Sequence, residues 1–579
     1  MKKELKMLFK KNFLKLLIEV IALIGLVYFI TCPAKYLGVI IDLLYDIDLN
    51  KTLILKNIAI IILACVGIIV TRMVFKYIDF TLDMEIRKTL TDHLFQKLMK
   101  MRLEDIKSIK NGEIMSYFVR DTKKIARVGT RFISTGIRII VNLIMVIILM
   151  ANCSNIKLAL CATIPVFVTI ITLIFIRGKI KQSFKIAQKA FTEFSEYVQE
   201  NTDSIRTIKA FSGEKQELEN FSTKNLKLRK SNLKVAYTEG LLDIIINVGI
   251  GLSYAVVMLL GSRLVISGQM TVGNMVSFLG YLTLLDMPMQ FFPWLVSKID
   301  EVKISISRLD KIFNLPEEKI EIKNMNETQK IKGDIKYNNL TFHYPDSLEE
   351  VVKDVSFEVK QGETLGIIGV LGSGKTTLMN LLLKLYSVPN GKITIGGKDI
   401  NEISTEDLRN SICYITQDNF LFSSSLKENI NLFKDNYKDE QIDQSTKDAM
   451  IYEEIKEMKD GIYTIIGEKG IDLSGGQKQR VVLSRAFLND SSIVVFDDTF
   501  SALDNKTEQH VLENIKKLVK DKTCIIISNR ISDIKECDKI IVMEQGKIIE
   551  RGTHETLLSD EGIYYKFYKS QANKVEELA

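Results

Sequence analysis

The first chemistry legible in this 579-residue chain lies in eight consecutive residues, Gly369-Val370-Leu371-Gly372-Ser373-Gly374-Lys375-Thr376. They follow the apolar run Thr364 to Ile368 and precede Leu378 to Leu383, which reads as a helix. G-x-x-x-x-G-K-[ST] between a strand and a helix is the pattern of a phosphate-binding loop. Glycines let backbone N–H groups converge on phosphate oxygens, and the helix N-terminus adds its positive dipole end. Lys375 is expected to reach the β/γ-phosphates and the Thr376 hydroxyl to ligate Mg²⁺, with Ser373 and Thr377 beside them. The chain is predicted to bind a nucleotide.

Four further elements follow in order. Gln417 ends the strand-like Ile412 to Thr416. Leu473-Ser474-Gly475-Gly476-Gln477 opens a helix that runs through Arg480 to Phe487. Ile493 to Phe496 is a buried-strand pattern ending in Asp497 and Asp498, with Ser501-Ala502-Leu503-Asp504 beyond it. Thr523 to Ile527 is a second such strand, ending in Ser528-Asn529-Arg530. Ligands of open parallel sheets bind at the carboxyl ends of the strands, where these polar residues fall.

This set closely resembles the nucleotide-binding domain of ABC transporters, and LSGGQ in this position is its most specific mark. Two further stretches resemble the exporters of the type IV, or B-family, fold. Gly268 to Asn274 with Pro288 is similar to their entry into the sixth helix, and Asn201 to Phe211 to their second intracellular loop. The resemblance implies ATP and Mg²⁺ as ligands. It implies that Tyr344 stacks on adenine, that Thr376, Gln417 and Asp497 serve the metal, and that Ser474 and Gly476 meet the γ-phosphate of an ATP held by a partner subunit. Asp504 then links the two sites, and Thr464 to Glu468 resembles the loop that meets coupling helices.

Two departures stand out. The residue after the magnesium aspartate is ordinarily Glu and is Asp498 here; the switch histidine is replaced by Asn529. Aspartate has a similar pKa but is one methylene shorter, and positioned base catalysis is worth about 10²–10⁴-fold. Asparagine cannot offer a cationic donor to the γ-phosphate. The site on this chain's phosphate loop is expected to bind ATP and hydrolyse it poorly, while its signature stays intact. That asymmetry predicts the degenerate-site half of a heterodimeric exporter of drugs, lipids or peptides. Alternatives within the fold are a homodimeric exporter, an ATP-occupancy sensor and a siderophore-type importer. No peptidase domain is read ahead of the first apolar stretch, so export of processed leader peptides is not expected.

The elements that must position these residues divide the chain. A mean hydropathy of +0.10 beside 26% charged residues fits a membrane half joined to a soluble half. Six apolar stretches long enough to span, at about 20 residues per crossing, lie near 13–41, 52–75, 133–153, 157–176, 240–266 and 272–296. A basic amphipathic segment, 1–12, precedes them. The long gaps 76–132 and 177–239 are charged and helical in pattern, the first carrying Arg87, Lys88, Lys97, Lys100, Arg102, Lys107 and Lys110, whereas Asp42, Asp46 and Asp48 mark the first short loop. This places the long gaps, the N-terminus and the nucleotide domain in the cytoplasm of a multi-pass plasma-membrane protein. Lys, Ile and Asn abundance points to a bacterial source. Glu19 and Asp243 sit deep enough to line a substrate cavity; Lys15, Arg72 and Arg138 read as border residues.

The expected organisation is an all-α transmembrane domain of six helices (1–314), a linker (315–330) and an α/β P-loop domain (331–579). Seven cysteines without CxxC pairing read as buried free thiols. A net charge of +7 is met by anionic lipid, and no nucleic-acid partner is expected.

Overall fold

The computed structural model describes residues 12–45, 50–153, 156–318, 330–345, 347–434, 436–467 and 473–578. Residues 1–11, Asp46, Asp48, most of the linker (319–329) and Glu468 lie outside them. The chain forms two compact units, one of residues 1–99 and 110–315, the other of 100–109 and 316–579.

The first unit is helical. Among the described residues, five helices are long and apolar enough to cross a membrane: Phe13–Tyr45, Lys51–Lys100, the 134–153 part of Thr122–Cys153, the 156–176 part of Ile156–Asp203, and Glu214–Ile266. Three of them run 48 to 53 residues, because the apolar stretch and its charged neighbour are one continuous helix. The sixth apolar stretch is broken instead into Val272–Thr283 and Asp286–Phe313. Pro288 explains the break. It has no N–H for the Leu284 carbonyl, so the chain closes Leu284 and Leu285 with bonds to residues three back and restarts with proline in the first turn.

Asp42 belongs to helix Phe13–Tyr45 rather than to a loop, and its carboxylate accepts from Gly273 N at 2.6 Å and Thr271 Oγ1 at 2.7 Å. The two backbones meet closely there: a Cβ on Gly38 would lie 2.2 Å from the Gly273 carbonyl oxygen. Small residues permit such contact between membrane helices. Of the polar residues in the apolar stretches, Glu19 is buried at 3% exposure, whereas Asp243 and Arg72 are exposed on the unit. Lys15 pairs with Glu85, and the Arg138 guanidinium lies over the Phe291 ring.

The second unit is α/β. A four-stranded antiparallel sheet has the order β2 (Glu350–Val359), β1 (Ile335–His343), β4 (Ile393–Ile395), β5 (Lys398–Asp399). A six-stranded sheet has the order β10 (Lys547–Gly552), β9 (Lys539–Glu544), β3 (Thr364–Gly369), β8 (Thr523–Ile527), β7 (Ile493–Asp497), β6 (Ile412–Ile415). All its pairings are parallel except β9 with β10. Strands β7 and β8 are buried at every residue, as parallel strands covered on both faces must be. Alternation divides their side chains. Ile493, Val495, Ile525 and Ile527 join the core with Tyr337 and Leu378, while Val494, Phe496, Cys524 and Ile526 join the core with Val481 and Leu483. All seven cysteines are free, four of them buried.

Candidate nucleotide site

Register brings the polar strand ends together. Thr364 to Ile367 of β3 pair with Cys524 to Ile527 of β8, and Asp497 of β7 pairs with Ile527. Loop 370–374 therefore opens beside Asp497, Asp498 and Ser528. Gly374 holds a φ of +96°, and a Cβ there would sit 2.8 Å from the Val351 carbonyl oxygen, so both conformation and space call for glycine. No side chain caps the helix Lys375–Leu382 that follows. Its first-turn N–H groups point into the loop with nothing from the chain's side chains to satisfy them, the geometry of an anion site.

Lys375 folds back over the loop, donating to the carbonyl oxygens of Gly369 at 2.7 Å and Val370 at 3.0 Å. Burial pushes its ammonium below the usual lysine range, and Asp497 and Asp498 oppose that. Asp497 is 2% exposed; its carboxylate accepts from the Tyr414 hydroxyl at 2.8 Å and also takes a hydrogen bond from Thr376. Burial raises its pKa in spite of these bonds. Thr376, Asp497 and nearby Gln417 supply only oxygen donors and one amide, a set suited to a hard cation such as Mg²⁺.

Asp498 takes a left-handed φ of +48°, which aspartate tolerates better than most residues, and its N–H bonds the Ile527 carbonyl oxygen at 2.8 Å. Gln417 Nε2 donates to its Oδ2 at 3.4 Å. Burial, then the charge of Asp533, raises the Asp498 pKa. Asn529 stands across the sheet end on the β8 loop. Its carbonyl oxygen accepts from Gln571 Nε2 at 2.8 Å, and Gln571 Oε1 in turn accepts from Ile531 N at 3.0 Å. Arg530 pairs with Glu508 at 2.6 Å, joining that loop to the helix that Asp504 caps through Lys506 N and Thr507 N. Hydrogen bonding from Thr507 holds the Asp504 carboxyl below its usual range. Tyr344 bonds Thr377 Oγ1 through its hydroxyl at 2.9 Å and packs edge-on to Phe342 and Tyr386.

The signature residues sit apart from this cluster in their bonding. Ser474 caps helix Gly475–Leu488: its Oγ accepts from Gln477 N at 3.2 Å, and Gln477 Oε1 accepts from Ser474 N at 2.8 Å. Gln477 Nε2 and Arg480 both hold Glu454, at 2.8 and 2.6 Å. Gly475 and Gly476 form the exposed-to-intermediate first turn. Tyr414, Gln571 and Tyr386 were not singled out from sequence. Tyr414 had a signal, since it lies three residues before Gln417 on a strand pointing at the site; Gln571 had none.

A six-stranded, mainly parallel sheet with a phosphate loop at its centre, an antiparallel side sheet and a signature helix define a nucleotide-dependent transport motor. The comparisons with known proteins name the class. Residues 16–289 match the family model described as ABC transporter transmembrane region, and 352–501 match the one described as ABC transporter. The probable multidrug resistance ABC transporter ATP-binding/permease protein YheI of Bacillus subtilis is 30% identical over 98% of this chain and 97% of its own length. The multidrug resistance-like ATP-binding protein MdlA of Escherichia coli is 29% identical over 96% of this chain and 93% of its own. The solved structure of a bacterial Atm1-family ABC exporter with ATP bound shares the fold, with a TM-score of 0.80 and 24% identity over 97% of this chain and 98% of that one. The chain belongs to the ABC transporters that carry a transmembrane region and an ATP-binding domain in one polypeptide. It binds ATP and is an ATPase coupled to transport.

Proposed function

We propose that this chain is one half of a heterodimeric bacterial exporter, and that its own phosphate loop forms the poorly hydrolysing site. The carrying observation is the contrast between an intact Leu473-to-Gln477 signature and the pair Asp498 and Asn529. Aspartate at 498 has a short reach, a left-handed backbone and a raised pKa. The short reach weakens a general base that must come within hydrogen-bond distance of water, whereas the raised pKa makes the ionised carboxylate the stronger base. Asn529 leaves no imidazolium to meet developing charge on the γ-phosphate.

In this reading the domains are 1–314 and 331–579 with a linker between, and the sixth crossing is made by the two helices broken at 284–285. Thr376, Asp497 and Gln417 hold Mg²⁺, which neutralises phosphate charge when bound. Tyr344 carries the adenine, and the Lys375 side chain swings from the loop carbonyls to the phosphates. Ser474 and Gly476 complete the partner's competent site. The nucleotide domain is cytoplasmic. Phe211 at 84% exposure, and Phe420, Phe422 and Phe433 at 43–51%, are apolar surfaces that a second half-transporter would cover. The names of the relatives favour multidrug cargo, amphipathic or hydrophobic, moved by alternating access.

The test is ATP hydrolysis by the purified chain alone and together with the half-transporter encoded beside it. A nearly silent chain and an active pair support the reading. Brisk hydrolysis by the lone chain overturns it in favour of a homodimer.

A further inference from the structure

Helix Ile563–Leu578 is fixed at its start and reaches the loop after β8 with its third turn. The Glu550 carboxylate accepts from Ile563 N and, at 3.0 Å, from Tyr564 N. Tyr564 is fully buried, and its hydroxyl lies 2.8 Å from His554 Nδ1. Phe567 packs on the same apolar core, which also holds Ile531 and Ile534. Tyr564, Phe567 and Gln571 recur at the spacing of one helix face. The packing that seats the two rings therefore delivers Gln571 to loop 528–531.

There the Gln571 amide bonds the backbone on both sides of Arg530. Its Nε2 donates to the Asn529 carbonyl oxygen at 2.8 Å, and its Oε1 accepts from Ile531 N at 3.0 Å. One partner is an acceptor and the other a donor, so a single amide orientation satisfies both. The rest of the loop is tied as well. Ser528 N bonds the Ile367 carbonyl oxygen in β3 at 3.1 Å, Arg530 N donates to Ser528 Oγ at 2.9 Å, and the Arg530 guanidinium pairs with Glu508. With 528 and 530 held by the domain's own sheet and helix, and 529 and 531 held by Gln571, the backbone at 529 has a set direction. The exposed side chain at 529 takes its direction from that backbone. A misplacement of about 1 Å in a reacting group can cost on the order of 10²-fold in rate.

We propose that Gln571 is a positioning residue for hydrolysis at this chain's own site. Its amide sets the backbone at 529 so that the residue there meets the γ-phosphate. Helix Ile563–Leu578 thereby governs the rate of the chemical step, while ATP affinity rests on the phosphate loop and Tyr344. The proposal rests on the reading above that position 529 faces the γ-phosphate.

The test uses the assembled transporter, this chain with the half-transporter encoded beside it, in phospholipid nanodiscs. Radiolabelled 8-azido-ATP is crosslinked to this chain. The ADP fraction on it against time gives hydrolysis at its own site, and the nucleotide concentration that half-labels it gives affinity. In a chain carrying Asp498→Glu and Asn529→His, Gln571→Met is expected to slow hydrolysis about tenfold, the span of two neutral hydrogen bonds, with the half-labelling concentration unchanged. Gln571→Glu keeps the shape and the acceptor but loses the donor, and should slow it about threefold, the span of one such bond. In a chain carrying Asp498→Glu and Asn529→Ala, Gln571→Met adds no further loss. Unchanged rates in both Gln571 variants, an equal loss in the Asn529→Ala chain, or a parallel loss of affinity would overturn the proposal. If the Asn529→His and Asn529→Ala chains hydrolyse alike, position 529 does not serve the reaction, and that reading falls together with the role of Gln571.

Discussion

At Lys375 a helix N-terminus is left open, whereas at Ser474 the chain closes one with its own side chains. The first helix follows a left-handed glycine with no capping side chain, and its nearest cation lies folded on loop carbonyls. The second carries a reciprocal Ser474–Gln477 capping box, itself braced through Glu454 to Arg480. Orphan N–H groups at a helix start must find partners. An open end is therefore shaped for a ligand that belongs to this chain's site, and a capped end is stable before any ligand arrives from elsewhere. The two N-termini also differ in what flanks them. Beside the open one stand Asp498 and Asn529, both departures from the residues that catalysis would favour; beside the capped one every signature residue is present.

The largest test of that contrast is Ser474→Ala in the assembled transporter. Loss of one preorganised donor to a phosphate in the transition state is expected to lower its ATPase roughly 10²-fold, with ATP affinity of the lone chain unchanged. Equal activity would mean that the capped N-terminus meets no nucleotide. Next, Asp498→Glu with Asn529→His should raise single-turnover hydrolysis at this chain's own site by about tenfold, short of the full range for a positioned base, because Glu must adopt the φ of +48° that Asp498 holds. No gain would place the defect elsewhere than in these two side chains.

Gly374→Ala probes the open end by geometry alone. At a φ of +96°, with its Cβ 2.8 Å from the Val351 carbonyl oxygen, alanine should weaken triphosphate binding about fivefold, as for alanine at an incompatible backbone. Isothermal titration with inorganic triphosphate reads this directly, and unchanged affinity would show that the loop tolerates another path.

The smallest effect concerns pH. Burial and then Asp533 raise the Asp498 pKa. A carboxyl raised on folding binds protons more readily in the folded chain, so its stabilising contribution is present below the unfolded pKa and is lost as pH rises through the folded one. The ionised base appears only above that raised value, so hydrolysis at this site should climb with pH through it. Asp533→Asn removes the second cause and leaves the first, and should move the acid limb of the single-turnover profile modestly to lower pH. A limb that does not move would take Asp533 out of the field at Asp498.

The nucleotide motifs were legible because each is local. Glycine, lysine and threonine at fixed spacing declare the phosphate loop; Leu473 to Gln477 declares the signature; Asp498 and Asn529 can be read as departures by position alone. The alternation in β3, β7 and β8 was legible for the same reason, since side-chain direction follows from a period of two. The break at 284–285 was missed although Pro288 was in view, because apolar character continues across it and hydropathy does not register a missing N–H.

What the sequence determined by itself was the inventory: which groups could hold phosphate and metal, which segments are apolar enough to cross a membrane, and which two catalytic residues are replaced. Tertiary structure alone decided which groups meet. It set Tyr414 on Asp497, Gln571 on the backbone at Asn529 and Arg530 on Glu508, and it packed residues 100–109 with a domain more than 200 residues downstream in the chain. The physical reason is separation along the chain. A motif a few residues long fixes its own geometry through backbone torsions, whereas these pairs depend on strand register and on aromatic and apolar packing that the whole fold must establish before any two of their side chains come within reach.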